Sequence, residues 1–229
     1  MCGAYPLPAG RYLIKQITML LTVFGASGQI GRLFVQQALD QGHAVRAYVR
    51  DPAKIKFTHP QLTVLAGDLG DQARIQQAIA GADAAVSLLG PPLKFWYSDQ
   101  PIVDGHAHIL RAMQATGVRR FVTIATPSTK SPKDQASVPT IVPGIMARLI
   151  FPNPYREIVA MGKLVQASSL DWTIVRFIDP TDKPATGQIR VSFGKEPLGM
   201  SIPRADIAAF VLQVLTRNEY VRDMPIIGS

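Results

Sequence analysis

Residues Val23–Gly31 read Val-Phe-Gly-Ala-Ser-Gly-Gln-Ile-Gly and carry glycines at Gly25, Gly28 and Gly31. The apolar run Met19–Phe24 leads into them, and a helical pattern of apolar residues follows. A strand that turns sharply into a helix aims free backbone N–H groups at one point, where the helix dipole adds partial positive charge. Glycine permits the tight turn and the close approach of a pyrophosphate.

The G-x-x-G-x-x-G spacing differs from G-x-G-x-x-G, and a glycine triplet alone can be an ordinary loop. With a strand before it and a helix after it, the stretch predicts a dinucleotide site.

The composition indicates a globular protein with a sizeable core. Of the 229 residues, 47% are hydrophobic and 17% are charged, so long disordered stretches are not expected. The net charge of +8 is spread over the chain, and no basic run is longer than the pair Arg119–Arg120. This pattern does not favour direct binding of nucleic acid. It is compatible with a surface that steers a polyanionic cofactor or an acidic substrate into a cleft.

The N-terminal part of the chain bears on location. Arg11 and Lys15 precede the apolar stretch Ile17–Phe24, as in a signal peptide, but cleavage near Ala26–Ser27 would destroy the glycine loop. The single cysteine fits a reducing compartment, and no apolar run reaches the ~20 residues that cross a bilayer. We therefore predict a cytoplasmic protein without a membrane partner. Residues 1–18 are expected to be a loosely packed N-terminal extension, and residues 19–229 the dinucleotide-binding domain.

Strand and helix patterns alternate along the chain and predict an α/β fold with one doubly wound parallel sheet. We expect a single Rossmann-like domain with a small C-terminal portion on the substrate side. The predicted strands are Met19–Phe24, Ala44–Val49, Leu62–Ala66, Asp83–Leu89, Arg120–Ala125 and Leu170–Phe177, with short pieces at Gln188–Phe193 and Met224–Ile227. The predicted helices are Gln29–Gln41, Gln72–Ala80, Ile102–Thr116, Tyr155–Ser168 and Ala205–Leu215.

The second predicted strand ends in Arg50-Asp51-Pro52, about 20 residues after the glycines. This is where a dinucleotide fold places the group that contacts the adenosine ribose. The Arg50 guanidinium suits a 2′-phosphate through paired, charged hydrogen bonds, which favours NADP(H) as the cofactor. Asp51 leaves NAD(H) open, because an acidic residue would favour a free 2′-hydroxyl. Arg50 could also be an exposed turn residue.

The third and fourth predicted strands end in further candidate ligands. Asp68 could hydrogen-bond an adenine amino group or cap the next helix. Because Asp71 already serves as an N-cap of that helix, we favour the ligand role for Asp68. Gly90-Pro91-Pro92 ends the fourth strand near the switch point of the sheet, where backbone borders the cofactor in open α/β folds.

Two loops and one helix carry further side chains that are considered for the site. Phe95-Trp96-Tyr97 either stack on a planar ligand or pin their loop to the core. The segment Thr129–Val142 is rich in Pro, Ser and Thr and predicts a long irregular loop near the site. His106 and His108 face different directions on their helix, and no Cys or acid cluster accompanies them, so no metal site is predicted.

Six motifs follow one another along the chain: Phe24–Gly31, Val-Arg-Asp-Pro (49–52), Gly-Asp-Leu (67–69), Gly-Val-Arg-Arg-Phe-Val (117–122), Leu-Asp-Trp-Thr-Ile-Val-Arg (170–176) and Arg-Ala-Asp-Ile-Ala (204–208). In this order they resemble the atypical short-chain dehydrogenase/reductase proteins called NmrA-like or NAD(P)-binding. Through Thr186-Gly187, Met161-x-Lys163-Leu and Arg204-Ala-Asp206, the chain looks similar within that group to the biliverdin reductase B/flavin reductase proteins.

The resemblance implies a set of cofactor contacts. Arg50 would lie at the 2′-phosphate, Asp68 and Leu69 near the adenine, and Leu89 and Gly90 beside the ribose. Thr126 stands where such families place a serine near the nicotinamide. The residues implied around the pyrophosphate are Gly25, Ala26, Ser27, Gly28, Gln29, Ile30 and Gly31.

The catalytic pair of short-chain dehydrogenases does not match. Those enzymes usually protonate a carbonyl oxygen with a Tyr whose pKa is lowered by a Lys four residues later. Here Val159 stands four residues after Tyr155, and Lys163 follows eight residues after it, ~12 Å along a helix. Tyr155 is thus open as a proton donor or as a surface residue of a first helical turn.

The resemblance, together with the missing Tyr-Lys pair, implies an NAD(P)H-dependent oxidoreductase that transfers hydride to a planar small molecule such as a flavin or a quinone. Thr126 would donate a hydrogen bond near the nicotinamide, and the aromatic loop Phe95–Tyr97 would flank the acceptor. The alternative is a non-catalytic NAD(P)-sensing regulatory protein of NmrA type. An isomerase or epimerase is less favoured because it normally needs the missing base. The sequence does not indicate an oligomeric state.

Overall fold

The computed structural model describes residues 18–91, 100–135, 146, 148–194, 196 and 198–229. The N-terminal segment 1–17, the aromatic loop Phe95–Tyr97 and residues 136–142 therefore lie outside the described residues. In chain order, the elements are β1 (Leu20–Phe24), α1 (Gln29–Asp40), β2 (Ala44–Val49), β3 (Leu62–Ala66), α2 (Gln72–Ile79), β4 (Ala84–Ser87), α3 (Pro101–Thr116), β5 (Arg120–Ala125), α4 (Pro152–Gln166), β6 (Asp171–Arg176), β7 (Asp179–Thr181), β8 (Arg190–Ser192), β9 (Ser201–Pro203), α5 (Arg204–Thr216) and β10 (Ile226–Gly228).

The main sheet has the strand order β3-β2-β1-β4-β5-β6-β10-β8. All neighbours run parallel except β8, which pairs antiparallel with β10. The prediction of a doubly wound, mostly parallel sheet is therefore confirmed. The order reverses between β1 and β4, and ligands bind at such a switch point, outside the carboxyl ends of the strands.

Two short strands were not predicted. β7 and β9 pair in parallel as a separate two-stranded sheet. Each has three residues and contains a proline, so neither shows the alternating or continuous apolar pattern that marks a strand. The bounds predicted for β2, β3 and β5 agree with the structure.

The core lies on both faces of the sheet. One face packs against α1 and α5 through residues such as Phe34 and Val211. The other packs against α2, α3 and α4 through residues such as Ile75, Met113 and Met161. All six residues of β5 are buried, as expected for a central strand of a parallel sheet covered on both sides. None of the helices in the described part of the chain is long and apolar enough to span a bilayer.

Candidate active site

The glycine loop between β1 and α1 makes a turn that requires glycine at two positions. Gly25 has a φ of +79°, which favours glycine, and its carbonyl accepts a 3.0 Å hydrogen bond from Gly28 N. A Cβ atom on Gly31 would lie 2.1 Å from the oxygen of Gly25. The loop therefore brings the first turn of α1 directly against the end of β1.

The start of α1 is open to an anion. Gly28 is the N-cap residue and offers no side-chain hydrogen bond, and no acidic residue lies in the first turn. The first backbone N–H groups of a helix have no partner within the helix, and they carry the positive end of its dipole. A glycine cradle that leads into an uncapped helix start fits a pyrophosphate.

A cavity of about 260 Å³ opens where β4, β5 and β6 end. It brings together five residues that the sequence singled out, namely Gln29, Ile30, Leu89, Gly90 and Thr126. Residues from α4, from the chain after β6 and from the start of α5 complete the lining, among them Ile158, Phe177, Pro180 and Arg204. The glycine loop and the end of β5 therefore border one space.

At the end of β2, the two candidate contacts of the adenosine ribose differ in whether the fold already uses their side chains. Asp51 Oδ1 accepts a 3.1 Å hydrogen bond from Ala53 N and caps the short 3₁₀ turn Pro52–Lys54. Arg50 is exposed, and its guanidinium has no hydrogen bond or ion pair with another described residue. Of the two, Arg50 is the one whose side chain is not already used by the fold.

Asp68 and Leu69 lie in the turn between β3 and α2. Asp68 Oδ1 accepts a hydrogen bond from Gly70 N at 2.8 Å, and the Asp68 carbonyl accepts one from the Tyr48 hydroxyl at 2.8 Å. Burial, with the nearby carboxylates of Asp71 and Asp68, raises the pKa of Tyr48 to about 12, so its hydroxyl stays a donor. The expected cap is present, because Asp71 Oδ1 accepts from Arg74 N at 2.9 Å.

The two residues chosen for catalysis have different surroundings. Thr126 lines the cavity just after β5, and its carbonyl accepts a 3.1 Å hydrogen bond from Thr129 N. Tyr155 lies in the first turn of α4, half-buried, and does not belong to the described lining; Ile158 reaches the cavity from that helix instead. Lys163, two turns after Tyr155, is exposed.

The segment after Thr126 is fastened by a buried arginine. The guanidinium of Arg176 is fully buried, and its Nη1 and Nη2 atoms lie 2.7 and 2.6 Å from the two carboxylate oxygens of Asp134. The same guanidinium donates to the carbonyls of Thr129 and Met224. Residues 129–135 form no helix or strand, as predicted for this loop, and this arginine ties them to β6.

The chain between β6 and α5 forms another part of the cavity wall, which was not predicted from the sequence. Its local anchor is Asp206, whose buried carboxylate accepts hydrogen bonds from Thr186 N at 2.9 Å, Thr186 Oγ1 at 2.8 Å and Gly187 N at 3.2 Å. Arg204, two residues earlier, donates from Nη1 to Asp182 Oδ1 at 2.9 Å. The motif Arg-Ala-Asp was visible in the sequence, but its partners lie about twenty residues away.

The histidine pair on α3 is structural. His106 is fully buried, with Nδ1 2.7 Å from the Ile102 carbonyl and Nε2 3.2 Å from Thr123 Oγ1. Burial lowers its pKa to about 4, so the ring is neutral near pH 7. His108 Nδ1 lies 2.7 Å from the Leu69 carbonyl. Among the residues that the structure describes, no three His, Cys, Asp or Glu side chains are grouped as metal ligands.

A protein-family model described as NAD(P)H-binding matches residues 25–218. Curated relatives include dihydroflavonol 4-reductase from Hordeum vulgare, 34% identical over 118 residues, which are 44% of this chain and 33% of the relative. A (4-alkanoyl-5-oxo-2,5-dihydrofuran-3-yl)methyl phosphate reductase from Streptomyces griseus is 26% identical over 86% of this chain and 63% of its own length. The chain thus spans about a third of the first relative and under two thirds of the second.

Solved structures share the fold over almost the whole chain. An anaerobillin reductase from Escherichia coli O157:H7 has a TM-score of 0.73 at 22% identity and covers 91% of this chain and 96% of its own. A short-chain dehydrogenase/reductase from Veillonella parvula in complex with NADP has a TM-score of 0.72 at 17% identity, over 92% of this chain and 94% of its own. At these identities the likeness shows the fold alone.

Proposed function

The chain belongs to the NAD(P)H-binding family, and from this premise we propose that it is a reductase that transfers hydride from NADPH to a planar acceptor such as a flavin or a quinone. One observation carries the proposal. Gln29 and Ile30 of the glycine loop share a cavity with Thr126 and with the apolar side chains of Ile158 and Phe177. A dinucleotide held at the loop would thus have its reactive end beside an apolar space.

The cofactor contacts follow from the loop and the strand ends. The glycine cradle Gly25–Gly31 and the open start of α1 would hold the pyrophosphate, with Leu89 and Gly90 beside the ribose and Asp68 and Leu69 near the adenine. The bound dinucleotide supplies the hydride and its two electrons. Thr126 would hydrogen-bond the nicotinamide side of the cavity and fix the orientation of the ring.

A preference for NADP(H) is supported by the end of β2. Asp51 Oδ1 already accepts a hydrogen bond from Ala53 N in the cap of the 3₁₀ turn. Arg50 is exposed and unpaired within the described residues, and a guanidinium can hold a 2′-phosphate through two charged hydrogen bonds.

The chemical class of the acceptor is inferred from the apolar residues that line the cavity. Ile158, Phe177 and Pro180 present apolar surface, which suits the face of a conjugated ring. A conjugated acceptor needs no dedicated acid of the Tyr-Lys kind, since the hydride enters the ring system and one proton from solvent completes the two-electron reduction. Val159, four residues after Tyr155, is consistent with this chemistry.

The test is direct. Purified protein is mixed with NADPH and either FMN or menadione, and the absorbance of the nicotinamide band is followed under anaerobic conditions. The proposal predicts oxidation of NADPH that depends on both the protein and the acceptor, with heat-denatured protein as control. If the protein binds NADPH tightly but accelerates neither reaction, the reductase proposal fails.

That outcome would favour the second candidate, an NAD(P)-sensing regulatory protein of NmrA type. The observation in its favour is that Tyr155 lies outside the described lining and has no Lys one turn later. A sensor would bind the dinucleotide and change its affinity for a protein partner, and it would not consume the nicotinamide.

A further inference from the structure

Arg204 contributes the single charged side chain among the described residues that line the cavity. It is the first residue of α5 and follows Pro203, which provides no side-chain cap. The positive end of the α5 dipole therefore lies at the backbone of the same residue. A cation placed here has no part in the cofactor contacts assigned above.

The charge of Arg204 is only weakly neutralised within the fold. Its side chain is 18% exposed, and its one partner in the described part of the chain is Asp182, which is 77% exposed. A single Nη1–Oδ1 contact of 2.9 Å uses one of the five N–H donors of the guanidinium. Because Asp182 is largely in water, solvent and salt screen its attraction for Arg204.

The neighbouring carboxylate forms no ion pair with Arg204. Asp206 is buried and lies two residues after Arg204, but its two oxygens accept from Thr186 N, Thr186 Oγ1 and Gly187 N. It is committed to holding the Thr186-Gly187 loop. Arg204 shares the cavity with apolar residues such as Phe177 and Pro180, and a charged hydrogen bond is stronger in less polar surroundings.

We propose that Arg204 binds an oxyanion, a carboxylate or a phosphate, carried by the acceptor. The substrate class is thus narrowed to planar conjugated molecules with an anionic substituent. This inference rests on the proposed function, because it concerns the acceptor of that reaction. The phosphates of the dinucleotide are the other source of the same chemistry, and the experiment must distinguish the two.

The experiment compares acceptors that differ by one anionic group. FMN and riboflavin share the isoalloxazine ring and differ in the phosphate, and a naphthoquinone with and without a carboxylate gives a second pair. The wild-type protein is expected to prefer the anionic member of each pair by roughly 10- to 100-fold in kcat/KM, the range of one charged hydrogen bond. Arg204→Gln is expected to lose far more activity with FMN than with riboflavin, and so to remove the preference.

The matched control is Asp182→Asn, which breaks the same ion pair from its exposed side. If Arg204 acted through that ion pair, Asp182→Asn would reproduce the loss of preference. We expect the preference for FMN to persist or increase, because the guanidinium is released. Circular dichroism and thermal unfolding of both variants show whether the fold is retained.

A second readout does not need turnover. The affinity of FMN and of riboflavin for the protein saturated with NADP⁺ is measured by quenching of flavin fluorescence, for the wild type and for Arg204→Gln. If the anionic member of neither pair is preferred in binding or turnover, the inference is overturned. It is also overturned if Arg204→Gln raises the KM for NADPH and lowers activity equally with both acceptors, since the oxyanion would then belong to the cofactor. A preference in binding that Arg204→Gln removes, without any oxidation of NADPH, would uphold the site and reject the reductase.

Discussion

The backbone at Gly31 faces the carbonyl oxygen of Gly25 so closely that a Cβ atom on Gly31 would lie 2.1 Å from that oxygen. The neighbouring atoms are backbone atoms, including Ala26 Cα at 2.9 Å, and cannot rotate away as a side chain could. The contact therefore fixes how deeply α1 sits against β1, and with it the position of the N–H groups that we assign to the pyrophosphate.

Gly31→Ala should impair both stability and cofactor binding. The added methyl group forces α1 away from the loop, and overpacking of this kind costs about 1–3 kcal/mol in the free energy of unfolding. Urea denaturation measures the first effect, and a fluorescence titration with NADPH measures the second. Gly70→Ala is the control for the urea measurement, because the nearest atom to its Cβ is 3.4 Å away. Equal NADPH affinity in wild type and Gly31→Ala would contradict the assigned pyrophosphate site.

Two arginines allow a comparison between a buried and an exposed ion pair. Arg176 is fully buried against Asp134, whereas the Arg119 side chain is 60% exposed beside Asp171. Arg176→Met leaves a carboxylate and two carbonyls without their donor and should destabilise the fold by about 3–5 kcal/mol. Arg119→Met should cost less than about 1 kcal/mol. The free energies of unfolding of both variants are measured by urea titration. Similar losses of stability in the two variants would contradict the expected difference between a buried and an exposed ion pair.

His106 should make the fold sensitive to acid. Burial lowers its pKa in the folded state to about 4, from an ordinary 6.5 in the unfolded chain. Below pH 6.5 the His106 ring is therefore protonated in the unfolded state but still neutral in the folded state. The free energy of unfolding falls as the pH drops from 6.5 towards 4. At pH 5 this amounts to about 2 kcal/mol relative to pH 7.

The measurement is the free energy of unfolding at pH 7 and at pH 5. In His106→Gln the loss between these two pH values should be smaller than in wild type by that amount, even if the variant is less stable at both. His108→Gln, on the same helix, is the control for the loss of a histidine. If the pH dependence of stability is unchanged in His106→Gln, the ring is protonated as readily in the folded state as in the unfolded state.

The parts of the fold that could be predicted are those encoded in short stretches. The glycine loop, the Asp71 cap and the bounds of β2 all depend on residues within a few positions of one another. The fold class followed from the alternation of such stretches, because parallel strands with crossover helices leave few topologies.

What was missed depends on contacts between distant residues. No local pattern reveals that Arg176 meets Asp134, or that the buried Asp206 holds Thr186 twenty residues earlier. The cavity wall that contains Arg204 could not be predicted for the same reason, because these contacts between distant residues shape the loop after β6. The glycine side of the cavity could therefore be read from the sequence, and the Arg204 side could not.

Arg50→Ala should change the choice of cofactor. Loss of the guanidinium removes charged hydrogen bonds to a 2′-phosphate, which should weaken NADPH binding roughly 10- to 100-fold and leave NADH binding nearly unchanged. Titrations with both dinucleotides measure the effect. Asp51→Asn is a useful companion, since its carboxylate caps the 3₁₀ turn and should not affect NADH. Equal losses for both cofactors in Arg50→Ala would rule out the 2′-phosphate contact.

Thr126 and Tyr155 are the two catalytic candidates, and the cavity separates them. Thr126 is part of the lining, so Thr126→Val should lower kcat with FMN or menadione by roughly tenfold, the effect of one lost hydrogen bond, with little change in NADPH affinity. Thr126→Ser keeps the hydroxyl and should restore most of the rate. For Tyr155→Phe we expect a rate close to wild type, because Ile158 is the residue of α4 that reaches the cavity. A large loss of kcat in Tyr155→Phe, with a normal Thr126→Val, would make the tyrosine the proton donor and would replace our assignment by the dehydrogenase-like one.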